Sequence, residues 1–127
     1  MSFTNAFETT VLQFALTTTS VTRPTNWYIA LFTSDPTETG SAGTEVSGGS
    51  YARTSVTFSV TGDTGTNSAA VEFPACTSDW GTVSHIGVMD ASSGGNMLVH
   101  ASLTTSKTIA TGDVFRIPTG DLDITLN

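Results

Sequence analysis

Positive charge is what this sequence has least of. Lys and Arg number four in 127 residues against eleven Asp and Glu, a formal net charge of −7. A nucleic-acid interface needs a basic stripe that neutralises phosphates, and four scattered cations do not form one. An anionic membrane surface is excluded as a partner on the same ground. Cysteine is nearly as scarce. A lone Cys76 closes no internal disulfide and supports no zinc framework, so a buried free thiol is expected there. No run approaches the ~20 apolar residues of a membrane span. The opening MSFTNAFETT has neither the basic nor the apolar region of a signal peptide, so the chain is expected to be made in a cytoplasm and used there, or in something assembled there.

Neutral polar residues fill the space that charge leaves. Forty positions are Ser or Thr, 38% of residues are hydrophobic and only 12% are charged. Thr suits a pleated, half-buried surface. The length fits one domain, 1–127, able to bury about two-thirds of its unfolded surface. Within it, 1–26 reads as a helix with a connecting segment and 27–127 as a β-domain.

Phe3, Phe7, Val11 and Phe14 recur at helical spacing, and Asn5 with Glu8 reads as a capping box, which predicts a short helix from Ala6 to Leu16 closed off before Pro24. Such a stripe either covers its own sheet or docks on a neighbour; packing on the chain's own core is the commoner outcome.

The period then changes to two. WYIALFT, Trp27 to Thr33, is apolar on both faces and reads as a central strand. Ser34 to Ser50 is a loop longer than a hairpin needs. YARTSVTFSV alternates, TGDTGTN reads as a turn, and SAAVEFP is a short strand. CTSDWG is a loop holding Trp80. TVSHIGVMD and NMLVHASL form a hairpin around ASSGG, DVFRIP is a further strand, and DLDITLN closes the chain with Leu122, Ile124 and Leu126 pointing inward. The expected fold is mainly β: an antiparallel sandwich or small barrel of about seven strands with one short N-terminal helix.

Few residues invite chemistry. Gly48 and Gly49 precede an alternating strand rather than a helix N-terminus, so they turn a chain and do not cradle a phosphate. His85 and His100 fall on the two arms of one hairpin, where the right register makes them diagonal neighbours. A metal would need a third ligand, for which Asp90 and Cys76 are poor choices. Asp113, Asp121 and Asp123 do not follow the spacing of a calcium loop. No G-x-S-x-G elbow holds a nucleophilic serine. Trp27 lies in an apolar strand, while Trp80, beside Asp79 and Gly81, is the more plausible exposed aromatic and the one candidate sugar platform. No catalytic residue, cofactor or metal is expected.

Four stretches then carry a likeness: YIALFTSDPTETG, EVSGGSYARTSVTF, AAVEFPACTSDWGTVSHIGVMDASSGGNMLVHASLTTSKTIATGD and the closing PTGDLDITLN. In the combination ALFTSDP, SGG-x-YAR, WGTV-x-H-x-G and GGN-x-L, the chain from Trp27 to Asn127 resembles a group of small virion proteins of tailed bacteriophages, commonly labelled phage tail-fibre or phage structural proteins. The resemblance implies a particle component with no catalytic residues to transfer. A chain without a repetitive or coiled shaft favours a head decoration or cement protein that clips onto the major capsid protein as a homo-oligomer, a trimer above all, in the virion. The runner-up is a tail, neck or fibre-base component engaging another tail protein or a host-surface glycan. The expected contact residues are Phe3, Phe7, Val11 and Phe14 of the helix, Asp35, Glu38 and Glu45 of the long loop, and Trp80. On this reading, removal of residues 1–16 leaves the β-fold intact.

Overall fold

The computed structural model describes residues 1–126. The chain opens with a two-residue strand, β1 (Ser2–Phe3), followed by helix α1 (Asn5–Leu16). Thr4, not Asn5, is the helix cap. Its backbone is extended and its hydroxyl accepts the Phe7 N–H at 3.4 Å. The same hydroxyl donates to the Met97 carbonyl at 2.8 Å, and the Thr4 N–H donates to Leu98 O at 3.0 Å. Thr4 is thereby 1% exposed, and the cap doubles as a weld between the helix and the sheet. Removing residues 1–16 would strip an edge strand and a buried cap, so the first segment belongs to the β-fold and is not an appendage to it.

Nine further strands follow: β2 (Tyr28–Phe32), β3 (Thr54–Ser55), β4 (Phe58–Thr61), β5 (Thr64–Asn67), β6 (Val71–Glu72), β7 (Gly81–Met89), β8 (Met97–Ile109), β9 (Arg116–Ile117) and β10 (Asp123–Thr125). They form three antiparallel sheets: β1-β8-β7-β2-β3, β10-β5-β4, and the pair β6-β9. The fold is mainly β with one short helix, in a sandwich-like arrangement. The excess over seven strands has three sources. The N-terminus adds β1, the run from Tyr51 to Val60 breaks into β3 and β4, and TGDTGTN contains β5. The third was readable: Gly62-Asp63 is a two-residue connection between paired Thr61 and Thr64, and Gly62 takes φ +62°, as a tight hairpin requires. At the C-terminal end the alternation weakens outward: Leu122 is buried, Ile124 half-buried and Leu126 53% exposed, so Leu126 does not point into the core. Asn127 of that run lies outside the described residues.

The main core lies on one face of the five-stranded sheet. Ile29, Leu31, Val83, Ile86 and Val88 meet Val71, Phe73, Phe115 and Leu122 there. An aromatic cluster fills its centre, with Tyr51 and Trp80 edge to face at 5.4 Å and Phe73 and Phe115 at 5.7 Å. A smaller cluster of Ala30, Phe32, Met89 and Met97 occupies the opposite face. β2 is therefore buried on both sides, as its unbroken apolar run requires. The long loop after β2 explains its own length. Pro36 is fully buried, and Gly40 lies against Thr4 and Met97, so the loop roofs this second face.

Candidate interaction surface

The helical stripe divides in two. Phe3 and Phe7 meet edge to face at 5.0 Å and pack on the main core, and Val11 is half-buried. Phe14 stands 75% exposed. Leu12 and Leu16, which the stripe does not include, are 56% and 76% exposed. Their signal was present in VLQFAL, Val11 to Leu16, which is apolar all round the helix except at Gln13.

The loop acids do not form one outward surface. Asp35 accepts the Thr37 N–H at 2.8 Å and lies 4.0 Å from His85 Nε2. Glu38 pairs with His100 Nε2 at 3.1 Å, and its backbone carbonyl accepts the Asn5 N–H at 2.9 Å. The register, His85 opposite Ser102 and His100 opposite Gly87, makes the two histidines diagonal neighbours on one face, as the hairpin predicts. The Glu38–His100 contact fastens the loop to the sheet, while Asp35 only comes near His85. Among the described residues no group of three or more His, Cys, Asp or Glu side chains is placed to hold a metal ion.

Glu45 turns inward. Arg53 donates to both its oxygens at 2.8 Å, and the Tyr51 hydroxyl donates to Oε2 at 2.7 Å while accepting the Leu31 N–H at 3.0 Å. Arg53 also donates to the carbonyls of Ala91 and Gly94 in the β7–β8 turn, at 3.0 and 2.8 Å. Burial pushes the Glu45 carboxyl up, but the hydrogen bonds from Arg53 and Tyr51 and the guanidinium charge outweigh it and hold the group below the ordinary glutamate value of 4.5. Burial, with the Glu45 carboxylate beside it, pushes the Tyr51 hydroxyl far upward. This is a structural tie between loop and hairpin, and it occupies both carboxylate oxygens of Glu45.

Trp80 is 5% exposed and its indole N–H donates to Gly49 O at 2.9 Å. The expectation of an exposed sugar platform fails there, because the loop that carries Trp80 folds back over the main core. Gly49 explains the close approach: at φ +58° it takes a left-handed turn, and a Cβ on it would collide with Ser78 O and the indole. The glycine pair turns the chain, as expected, and also seats the tryptophan. Cys76 is a buried free thiol.

The surface that remains is apolar and was not foreseen. A groove of about 260 Å³ runs between the small β4-β5-β10 sheet and the helix entrance. Val60, Ile124 and Leu126 form one wall, and Phe7, Trp27 and Leu98 the other. Val60, Gly65 and Ile124 stand in one cross-strand row, so the bare Gly65 makes the floor a saddle. Val60 is 76% exposed, and among the described residues Asp63 is the one charged residue lining the groove. No helix among the described residues is long and apolar enough to cross a membrane.

A search of curated proteins finds no match. A family model described as Podophage GP4 fiber I protein gp80 matches residues 2–125.

Proposed function

The chain belongs to the Podophage GP4 fiber I protein gp80 family, and from that membership we propose that it is a non-enzymatic component of a phage tail fibre, working through contacts with other virion proteins and with further copies of itself. It is a phage virion structural protein of the fibre-like kind. The observation that carries the fibre reading is the match over residues 2–125, which includes the N-terminal helix as well as the β-domain.

Among the readings open to the sequence, the tail or fibre component agrees with the family description better than the head decoration protein does. A glycan site at Trp80 has no support, since the indole is buried. The partners then to be expected are protein surfaces of the tail.

The test is the location and copy number of the chain in purified particles, by cryo-electron microscopy with quantitative mass spectrometry. A few dozen copies confined to the tail are expected. Hundreds of copies spread over the head shell would overturn the fibre reading and restore the cement role.

A further inference from the structure

Residues 18–26 leave the end of α1 and reach β2 without a fixed hold on the molecule. Among the described residues this strap makes no hydrogen bond beyond itself and Thr17: the Thr19 N–H donates to Thr17 Oγ1, and the Asn26 amide to Thr25 Oγ1. Val21 and Pro24 are half-buried and the rest of the strap is exposed. It borders a cleft of about 540 Å³, whose other walls are Thr10 and Gln13 of α1 and Asp90 and Asn96 of the β7–β8 turn. That volume lies inside the ~300–1,000 Å³ of small-molecule sites.

The lining decides which ligand fits. Phe7, Met97 and Leu98 give the cleft an apolar part. Planar polar groups stand around it. The Asp90 carboxylate is fixed by Asn96, whose backbone N–H donates to Oδ1 at 2.7 Å and whose amide donates to Oδ2 at 3.2 Å, and a carboxylate so held still accepts further hydrogen bonds. Gln13 is half-buried, and among the described residues neither its amide nor the Arg23 guanidinium has a hydrogen-bond or ion-pair partner. Arg23 and Asp90 are the charged residues among the described ones that line the cleft, and their charges cancel. An ion of either sign therefore meets a like charge. A wholly apolar ligand would cut these polar groups off from water without replacing it. A neutral ring with hydroxyls around its edge and C–H groups on its faces satisfies both parts of the lining.

We propose that this cleft binds a neutral sugar: a pyranose ring lies with its C–H face toward Phe7 and Leu98, its hydroxyls bond to Asp90 and Gln13, and Arg23 donates to it from the strap, which closes over the ring. The strap gains in the complex the hydrogen bonds that it lacks in the free chain. The site does not rest on the fibre-component reading. The purified chain reports sugar binding without regard to where the protein sits in a particle, so the two readings fail separately.

Amide nitrogen–proton correlation spectra of the full chain decide it, titrated with the methyl glycosides of glucose, galactose, mannose and N-acetylglucosamine to about 50 mM, where even a millimolar site is filled. At least one glycoside is expected to shift the amides of Thr10, Gln13, Arg23 and Asn96 saturably. Sorbitol, which has the hydroxyls without the ring, is expected to leave them in place. Gln13→Ala and Arg23→Ala remove side chains that have no partner in the protein, so both variants keep the fold, and each weakens binding about tenfold, the worth of one hydrogen bond. Added salt leaves the affinity unchanged, because the ligand carries no charge to screen. The absence of a saturable shift with every glycoside would overturn the proposal. So would shifts centred outside the cleft, an equal response to sorbitol, or undiminished binding by Gln13→Ala.

Discussion

At the scale of single residues, the decisive positions are those where surface and core were exchanged. Trp80 sits in a loop whose residues, Asp79 and Gly81 among them, read as solvent-facing, and the structure buries it against Tyr51 and Phe73. Trp80→Ala is expected to cost about 3–5 kcal/mol in chemical unfolding, the range for deleting a large core aromatic. A tolerated substitution would return Trp80 to the surface. Gly49→Ala tests the same packing from the other side. Its added methyl meets the Ser78 carbonyl and the indole at a left-handed backbone position, for a loss of about 1–3 kcal/mol in the same assay.

At the scale of elements, the Glu45–Arg53 pair joins the loop after β2 to the β7–β8 turn and should make stability depend on pH. Glu45 has a depressed folded value, so its contribution is complete above its ordinary value of 4.5 and is lost as pH falls through the lower folded one. Thermal melts should drop steeply below about pH 4.5 in the wild type, and Glu45→Gln should flatten this part of the profile. An unchanged profile would mean that the pair is idle. These elements also mark what a sequence can and cannot disclose. Periodicity located α1, β2 and the β7–β8 hairpin, including the diagonal histidines, because period and face are local properties. It missed Thr4 as the cap, since the advantage of Thr4 over Asn5 comes from carbonyls 93 and 94 residues away. It read Glu45 as a free loop acid because Arg53, Ala91 and Gly94 converge on it only in three dimensions.

At the scale of the whole molecule, repulsion between copies of charge −7 opposes any assembly. Raising salt from 0.1 to 1 M shortens the screening length from about 10 to about 3 Å. Self-association is therefore expected to strengthen with salt in sedimentation equilibrium. Weakening would show that the contact is mainly ionic and not apolar. The apolar groove itself was beyond the reach of the sequence, for its walls come from opposite ends of the chain, Phe7 and Trp27 on one side and Val60, Ile124 and Leu126 on the other. Of the candidate contact residues, Phe14 alone is both large and openly exposed.

The weld at Thr4 also has a consequence in time. β1 pairs with Val99 and His100, and Thr4 bonds to Met97 and Leu98. During synthesis the first residues to emerge must wait until most of the chain has followed before their partners exist. The β7–β8 hairpin, whose strands are neighbours in sequence, can form ahead of them. Closure of so long a loop is entropically late. Thr4→Ala should therefore leave the refolding rate nearly unchanged and speed unfolding, the kinetic mark of a contact made after the rate-limiting step.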